Sequence, residues 1–204
     1  TQALLTKAGC TIRYPKKLSS LCCGMAFSSK GFREQAKQKE QELNAALLEA
    51  SDNGRLPILC DMSPCLLHMR ETLDKRLRLY EPVEFIYDHL RERLHFHKLP
   101  ITVAVHATCS TTKMGVKEKL IALAELCAEK VVSPARVNCC GWAGDRGFFY
   151  PELNASGLHY LKPDLEGATE GYSNSRTCEI GLSMHSGLSY KSIVYLVDKA
   201  TATR

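Results

Sequence analysis

Apolar positions in this chain follow two rhythms, a helical one and a strand-like one, and the pair recurs in each half. Between Gly31 and Ala50 the residues Phe32, Ala36, Leu43, Leu47 and Ala50 fall near one face of a helix, which Asp52-Asn53-Gly54 stops. The unbroken run Leu56-Pro57-Ile58-Leu59-Cys60 then predicts a buried strand. Ser63-Pro64 follows as N-cap and first-turn proline of a helix through Cys65, Leu66, Leu67 and Met69. Upstream, Leu4 to Gly9 predicts the end of a helix, and Thr11-Ile12-Arg13-Tyr14 a short strand closed by Pro15. Pro82 to Leu94 predicts one more helix, leading into a linker, His95-Phe96-His97-Lys98-Leu99-Pro100.

The scheme repeats beyond that linker. Ile101 to Val105 predicts a strand, and Val116, Leu120, Ile121, Leu123, Ala124 and Cys127 populate the apolar side of a helix. Lys130-Val131-Val132 predicts a strand ended by Ser133-Pro134, followed by a loop carrying Cys139-Cys140-Gly141. A helix from Pro151 to Leu161, a turn at Lys162-Pro163-Asp164, a strand from Gly171 to Ser175 and helices after Cys178 and Tyr190 complete the pattern. The expected fold is α/β: two tandem units with short parallel sheets, 1–98 and 99–204.

The cysteines carry the chemistry. Cys-Cys-Gly occurs twice, as Cys22-Cys23-Gly24 and Cys139-Cys140-Gly141, and each copy has a further cysteine downstream, Cys65 and Cys178. The offsets, 117 residues from Cys22 to Cys139 and 113 from Cys65 to Cys178, predict an internal duplication. In the second half Cys109 stands ahead of the pair, directly after the strand Ile101–Val105. Its counterpart in the first half would fall before Thr1, so a first unit shortened at its N-terminus is expected. A trans peptide holds adjacent cysteine side chains apart, which disfavours a disulfide between them. It still allows both sulfurs to reach one inorganic cluster.

All the paired and terminal cysteines are expected just after strands or at helix starts. In parallel α/β sheets those junctions share one edge, where ligand sites form, and helix N-termini stabilise thiolates. Ten cysteines without a secretory signal favour ligation or catalysis in a reducing compartment over a disulfide framework. No apolar run approaches the ~20 residues that span a bilayer. The net charge of +5 is mild, and no basic block with interleaved aromatics appears, which argues against nucleic acid as a partner.

The spacing of Cys109, Cys139-Cys140-Gly141 and Cys178 resembles the cysteine-rich CCG domain of heterodisulfide reductases, glycolate oxidase iron-sulfur proteins and lactate-utilisation proteins. The segments Leu21-Cys22-Cys23-Gly24-Met25-Ala26, Asp61-Met62-Ser63-Pro64-Cys65 and Ser175-Arg176-Thr177-Cys178-Glu179-Ile180-Gly181-Leu182 look most like the C-terminal part of FAD-linked D-lactate dehydrogenases. The resemblance covers nearly the whole chain.

It implies electron transfer through a [4Fe-4S] cluster held by Cys109, Cys139, Cys140 and Cys178, and a related site at Cys22, Cys23 and Cys65. Cys60 stands nearby as a reserve donor, and His106, at the head of His-x-x-Cys, reads equally as a donor to the site and as a cap on the strand end. It further implies FAD in a missing N-terminal part and FAD-binding and ferredoxin-like domains in the same polypeptide. A quinone or cytochrome acceptor follows, as does a cytoplasmic location, with a peripheral position at the membrane as a variant. The isolated chain is then expected to be inactive without the rest of its dehydrogenase. Two departures from the family pattern stand out: Ser175 and Met62 occupy the places where the first cysteine of a Cys-x-x-Cys would stand.

Other readings compete. Four thiolates also suit a closed zinc site in a structural or docking domain, and Cys139 with Cys140 would suit a thiol-disulfide reductase if one were an exposed low-pKa thiolate. Cys10 and Cys127 lie beside apolar helix ends and read as buried structural thiols. Trp142 reads equally as a shield for the site and as core. The basic run Lys75-Arg76-Leu77-Arg78 reads as a solvated helix face. The glycines of Gly141-Trp142-Ala143-Gly144-Asp145-Arg146-Gly147 lack the spacing of a phosphate-binding fingerprint.

Overall fold

A computed structural model describes residues 1–203. In the first half, helix α1 (Gln2–Lys7), a single turn α2 (Met25–Ser28) and the long helix α3 (Arg33–Ala50) precede the short strand β1 (Ile58–Leu59). Helix α4 (Ser63–Thr72), strand β2 (Leu79–Tyr80), helical turn α5 (Pro82–Phe85) and strand β3 (Leu94–Phe96) follow. The second half opens with strand β4 (Leu99–Val105) and helices α6 (Cys109–Lys113) and α7 (Lys117–Cys127), then strand β5 (Ala128–Val132) and helix α8 (Pro151–Gly157). It closes with strand β6 (Glu170–Ser173), helix α9 (Arg176–Ser186), strand β7 (Tyr190–Ser192), helix α10 (Ile193–Lys199) and strand β8 (Thr201–Thr203).

The fold is α/β. The main sheet is parallel, in the order β5-β4-β6-β7. Its central strand β4 is covered on both faces, as strands flanked by crossover helices must be. Val103 and Val105 point into a core with Leu120 and Leu123 of α7 and Leu196 and Val197 of α10. The intervening Ala104 points the other way, into a second core with Leu158, Leu161 and Leu182. A smaller parallel sheet, β1 with β2, carries the first half. There Leu43 and Leu47 of α3 meet Leu66 and Met69 of α4.

The succession β1-α4-β2-α5-β3 is matched by β6-α9-β7-α10-β8, and the last strands of the two series, β3 and β8, pair antiparallel with each other. Helix α1 belongs to the first half by sequence, yet it packs on α10, with Lys7 Nζ 2.7 Å from Asp198 Oδ1. Among the described residues no helix is long and apolar enough to cross a membrane.

Several sequence expectations change. Thr11–Tyr14 is not a strand. At the 117-residue offset it corresponds to β5, which pairs with β4, but no strand lies beside Thr11–Tyr14 among the described residues, so its backbone joins no ladder. Phe32 is the N-cap of α3 and 55% exposed, not part of its apolar face. Ser63 is the first residue of α4 and Met62 its cap; the Ser63 hydroxyl instead joins Thr108 and Ser110 across the two halves.

The helix expected over Pro82 to Leu94 breaks after α5 into a π turn (Ile86–Leu90) and a 3-10 turn (Arg91–Arg93). The expected linker is largely strand, as β3 and the start of β4. The helix expected to Leu161 ends at Gly157. Helix α9 begins before Cys178, at Arg176, and Tyr190 opens strand β7 ahead of α10.

Candidate metal centre

Three neighbouring parallel strands end at one edge of the main sheet, and each hands the chain to a cysteine. After β4, Thr108 caps α6 by accepting from the Thr111 N–H, which sets Cys109 as the first residue of that helix. After β5 the loop reaches Cys139-Cys140. After β6 the chain turns through Asn174 and Ser175, and Cys178 falls in the first turn of α9. Cys140 and Cys178 are buried at 4% and 8% exposure, while Cys109 and Cys139 stand at the open side.

The turn at Cys139-Cys140-Gly141 is held by backbone geometry. Gly141 adopts φ +70°, and its N–H donates to Cys139 Sγ at 3.4 Å. A side chain at Gly141 would collide with the Leu153 carbonyl of α8. Asn154 on the same helix donates from Nδ2 to the Cys140 carbonyl. Glycines at 157 and 181 keep the surroundings tight: a Cβ on Gly157 would meet the Gly141 N and the Cys139 O, and one on Gly181 would meet Asn154 and Trp142. Trp142 is buried, its ring packed tightly against Gly147 and perpendicular to that of Phe148 at 4.9 Å between centroids.

The four sulfurs run in sequence from Cys109 to Cys139 to Cys140 to Cys178. The Cys140 thiol donates to Cys178 Sγ at 3.0 Å, too long for a disulfide bond of about 2.05 Å. All ten cysteines are free. Hydrogen bonding with the Cys109 thiol, then the contact with Cys140, pulls the Cys139 thiol far below its usual range, and the hydrogen bond from Cys140, then one from Ser175, lowers Cys178. In return the contact with Cys139 raises both Cys109 and Cys140. Two of the four thus lean toward thiolate with two thiols donating to them.

His106, between β4 and α6, has its imidazole pushed down to about 4 by burial, with the opposing pull of Cys139. Neither of its ring nitrogens has a partner. Among the described residues no three His, Cys, Asp or Glu side chains already surround one point as metal ligands. The donor set is nonetheless soft, convergent and partly ionised, which fits a sulfur-bound metal centre.

The first half repeats the geometry in outline. Gly24 takes φ +86°, its N–H donates to Cys22 Sγ at 3.4 Å, and a Cβ there would meet the Ala36 carbonyl of α3. Ala36 lies 117 residues before Leu153, the offset that also relates the two glycines. Cys65 is the third residue of α4, as Cys178 is of α9. The hydrogen bond from Cys65 lowers Cys23 to about 6 and raises Cys65.

The Cys60 thiol donates to the Met62 carbonyl at 3.7 Å, and burial pushes it up to about 11. One turn past Cys65, His68 Nε2 meets Glu40 Oε1 at 2.9 Å, where the second half has only Gly181 and Gly157. Cys127 lies in the main core and Cys10 packs against it, with Arg93 Nη1 donating to Cys10 Sγ at 3.7 Å.

Sequence reading missed Asn154, the Glu40–His68 pair and a buried polar seam between the halves. In that seam Ser63 joins Thr108 and Ser110, on either side of Cys109, and Asn174 Nδ2 donates to Glu81 Oε1 and Thr111 Oγ1. These are single polar residues in mixed segments, and no periodicity marks them.

An α/β sheet edge collecting free cysteines from successive strand ends defines a cysteine-rich, thiolate-site protein. The chain belongs to the cysteine-rich CCG domain family, whose model matches residues 1–70 and 103–165. The first stretch contains Cys22, Cys23 and Cys65, and the second Cys109, Cys139 and Cys140. One of the subunits of the anaerobic glycerol-3-phosphate dehydrogenase of Escherichia coli K12 is 24% identical over 196 residues, covering 89% of this chain, and the same subunit from Escherichia coli O157:H7 matches equally. The chain spans about half the length of these curated relatives.

Proposed function

We propose that the chain is an iron-sulfur electron-transfer module of a larger flavin-dependent dehydrogenase, built from two CCG units, 1–98 and 99–204, with its main centre at Cys109, Cys139, Cys140 and Cys178. The observation that carries this is the meeting of those four sulfurs at one sheet edge. When bound, a [4Fe-4S] group supplies one-electron exchange. The protein's part is to hold the sulfurs and limit water. Gly141 and Asn154 fix the Cys139-Cys140 turn, the first turn of α9 favours a thiolate at Cys178, and Trp142 closes the buried side.

The first unit, with Cys22, Cys23 and Cys65 and no leading cysteine among its residues, is the weaker site. Cys60 belongs to that site only as a neighbouring thiol. The relatives support a place in a dehydrogenase. The motif wording of Cys22–Ala26 and Cys178–Leu182 supports D-lactate as the substrate of the parent protein. D-lactate and glycerol 3-phosphate each lose two electrons from a secondary alcohol, so an electron-carrying module of this kind serves either. FAD-binding and ferredoxin-like domains would feed the module, a quinone or cytochrome would drain it, and a cytoplasmic site, peripheral to the membrane, follows from those partners.

Anaerobic purification with visible absorption and iron, sulfide and zinc analysis tests the proposal. Brown protein with iron and acid-labile sulfide, both lost in Cys140→Ser and Cys178→Ser, is the expected result. Colourless protein with one zinc per chain would refute it and make the site structural.

A further inference from the structure

Among the described residues, His106 is a buried side chain with both of its polar atoms unpartnered. Its backbone is fixed to β6 on both sides: the N–H donates to the Tyr172 carbonyl and the carbonyl accepts from Ser173 Oγ, each at 2.9 Å. The side chain is only 2% exposed, and neither Nδ1 nor Nε2 makes a hydrogen bond. A neutral imidazole carries one N–H and one lone pair, and leaving both unmet in the interior forfeits the solvation each had in water. Position supplies the missing partner. His106 lies three residues before Cys109 and close enough to Cys139 for each to act on the other electrostatically. Its two unpartnered nitrogens are thus buried at the sheet edge where the four cysteines gather.

Other groups nearby do not compete for the role. Ser175 is engaged with Cys178 and Thr177, and its hydroxyl is a harder donor than imidazole. In the first half, the histidine near the cysteine pair, His68, already has a carboxylate partner in Glu40. His106 has no such partner.

We propose that His106 is a ligand of the second-unit centre, adding one neutral nitrogen to the four cysteine sulfurs. The inference rests on the iron-sulfur reading above and deepens it. Its chemical consequence is a higher reduction potential than a thiolate at the same place would give, since a neutral donor stabilises the reduced, more negative centre, as the histidine-ligated clusters show.

The test uses the full chain, purified or reconstituted anaerobically, as wild type, His106→Cys and His106→Gln. Pulsed electron paramagnetic resonance on reduced protein, with and without 15N-histidine, reads bound nitrogen directly. Iron-edge X-ray absorption reads it without a paramagnetic state. The wild type is expected to show a histidine nitrogen coupling that changes with the isotope. His106→Cys is expected to keep its iron and sulfide, lose that coupling and shift to a lower midpoint potential. His106→Gln is expected to lose iron to a chelator at least about tenfold more readily.

Iron- and sulfide-loaded wild type without nitrogen in its first coordination shell would overturn the ligand assignment and leave the electron-transfer reading standing. A coupling unchanged in His106→Cys would do the same. Wild type with no iron at all would overturn both.

Discussion

Substituting alanine for Gly141 tests whether backbone fit shapes the cysteine turn. At φ +70° an alanine sits in the left-handed region, which costs about 1–2 kcal/mol for a residue with a Cβ. Its Cβ would also come within 2.2 Å of the Leu153 carbonyl oxygen, 2.9 Å of the Leu153 carbonyl carbon and 3.1 Å of Asn154 Cα. Those are backbone atoms of a helix, which cannot swing aside as a flexible side chain would, so overpacking adds about 1–3 kcal/mol.

Gly144 provides the control in the same loop: φ is +76°, but a Cβ there meets nothing within 4 Å. Gly144→Ala should lose only the conformational part, while Gly141→Ala should lose about 2–5 kcal/mol. At about 2–4 °C per kcal/mol for a chain of this size, the two melting temperatures should differ by several degrees. Urea unfolding and calorimetry on the two variants measure this, and iron analysis adds a second readout: Gly141→Ala should load less iron and Gly144→Ala as much as wild type. Equal destabilisation of the two variants, within about 1 kcal/mol, would refute the argument that contact with α8 sets the turn.

Burial raises the Glu81 carboxyl from 4.5 to about 7. Stability from its protonated form is fully present below pH 4.5 and declines by about 3 kcal/mol as pH rises to 7. Glu81→Gln should flatten that slope and melt higher than wild type above pH 7; parallel pH profiles for the two proteins would contradict it. Cys127 is fully buried in the main core and away from the sulfur sites. Cys127→Ser should cost about 1–3 kcal/mol by burying a hydroxyl without a partner and leave iron content unchanged. A Cys127→Ser protein that unfolds like wild type but lacks iron would make Cys127 a ligand.

Helices α3, α4 and α7 were legible because their apolar residues recur at helical spacing over two or more turns, with Asp52-Asn53-Gly54 stopping α3 and Pro64 in the first turn of α4. Strand β4 was legible from Ile101-Thr102-Val103-Ala104-Val105, β-branched apart from Ala104 and apolar apart from the Thr102 hydroxyl, since both its faces are covered. The strands β2, β3, β7 and β8 were not. Each is two or three residues long, and each is a strand because of the neighbour it pairs with, as with β3 and β8, whose partners lie more than a hundred residues apart. Thr11–Tyr14 shows the converse: a strand-like composition stays unpaired where no ladder is offered. The cysteines of the site were readable from their repeat, while Asn154 and the orphaned state of His106 became visible only in the packed interior.

What the sequence by itself determined is the inventory and the period. Two Cys-Cys-Gly turns, the later cysteine of each half and the α/β alternation all follow from local residue choice, because helix caps, left-handed glycines and apolar rhythm act over a few residues. Only the tertiary structure decided which of those groups meet. The parallel order β5-β4-β6 brings Cys109, Cys139, Cys140 and Cys178 to one edge, buries His106 beside them and sends Cys60 to a carbonyl instead. Burial and contact then decide which sulfur carries charge, since desolvation and hydrogen bonding depend on neighbours that no stretch of chain supplies alone.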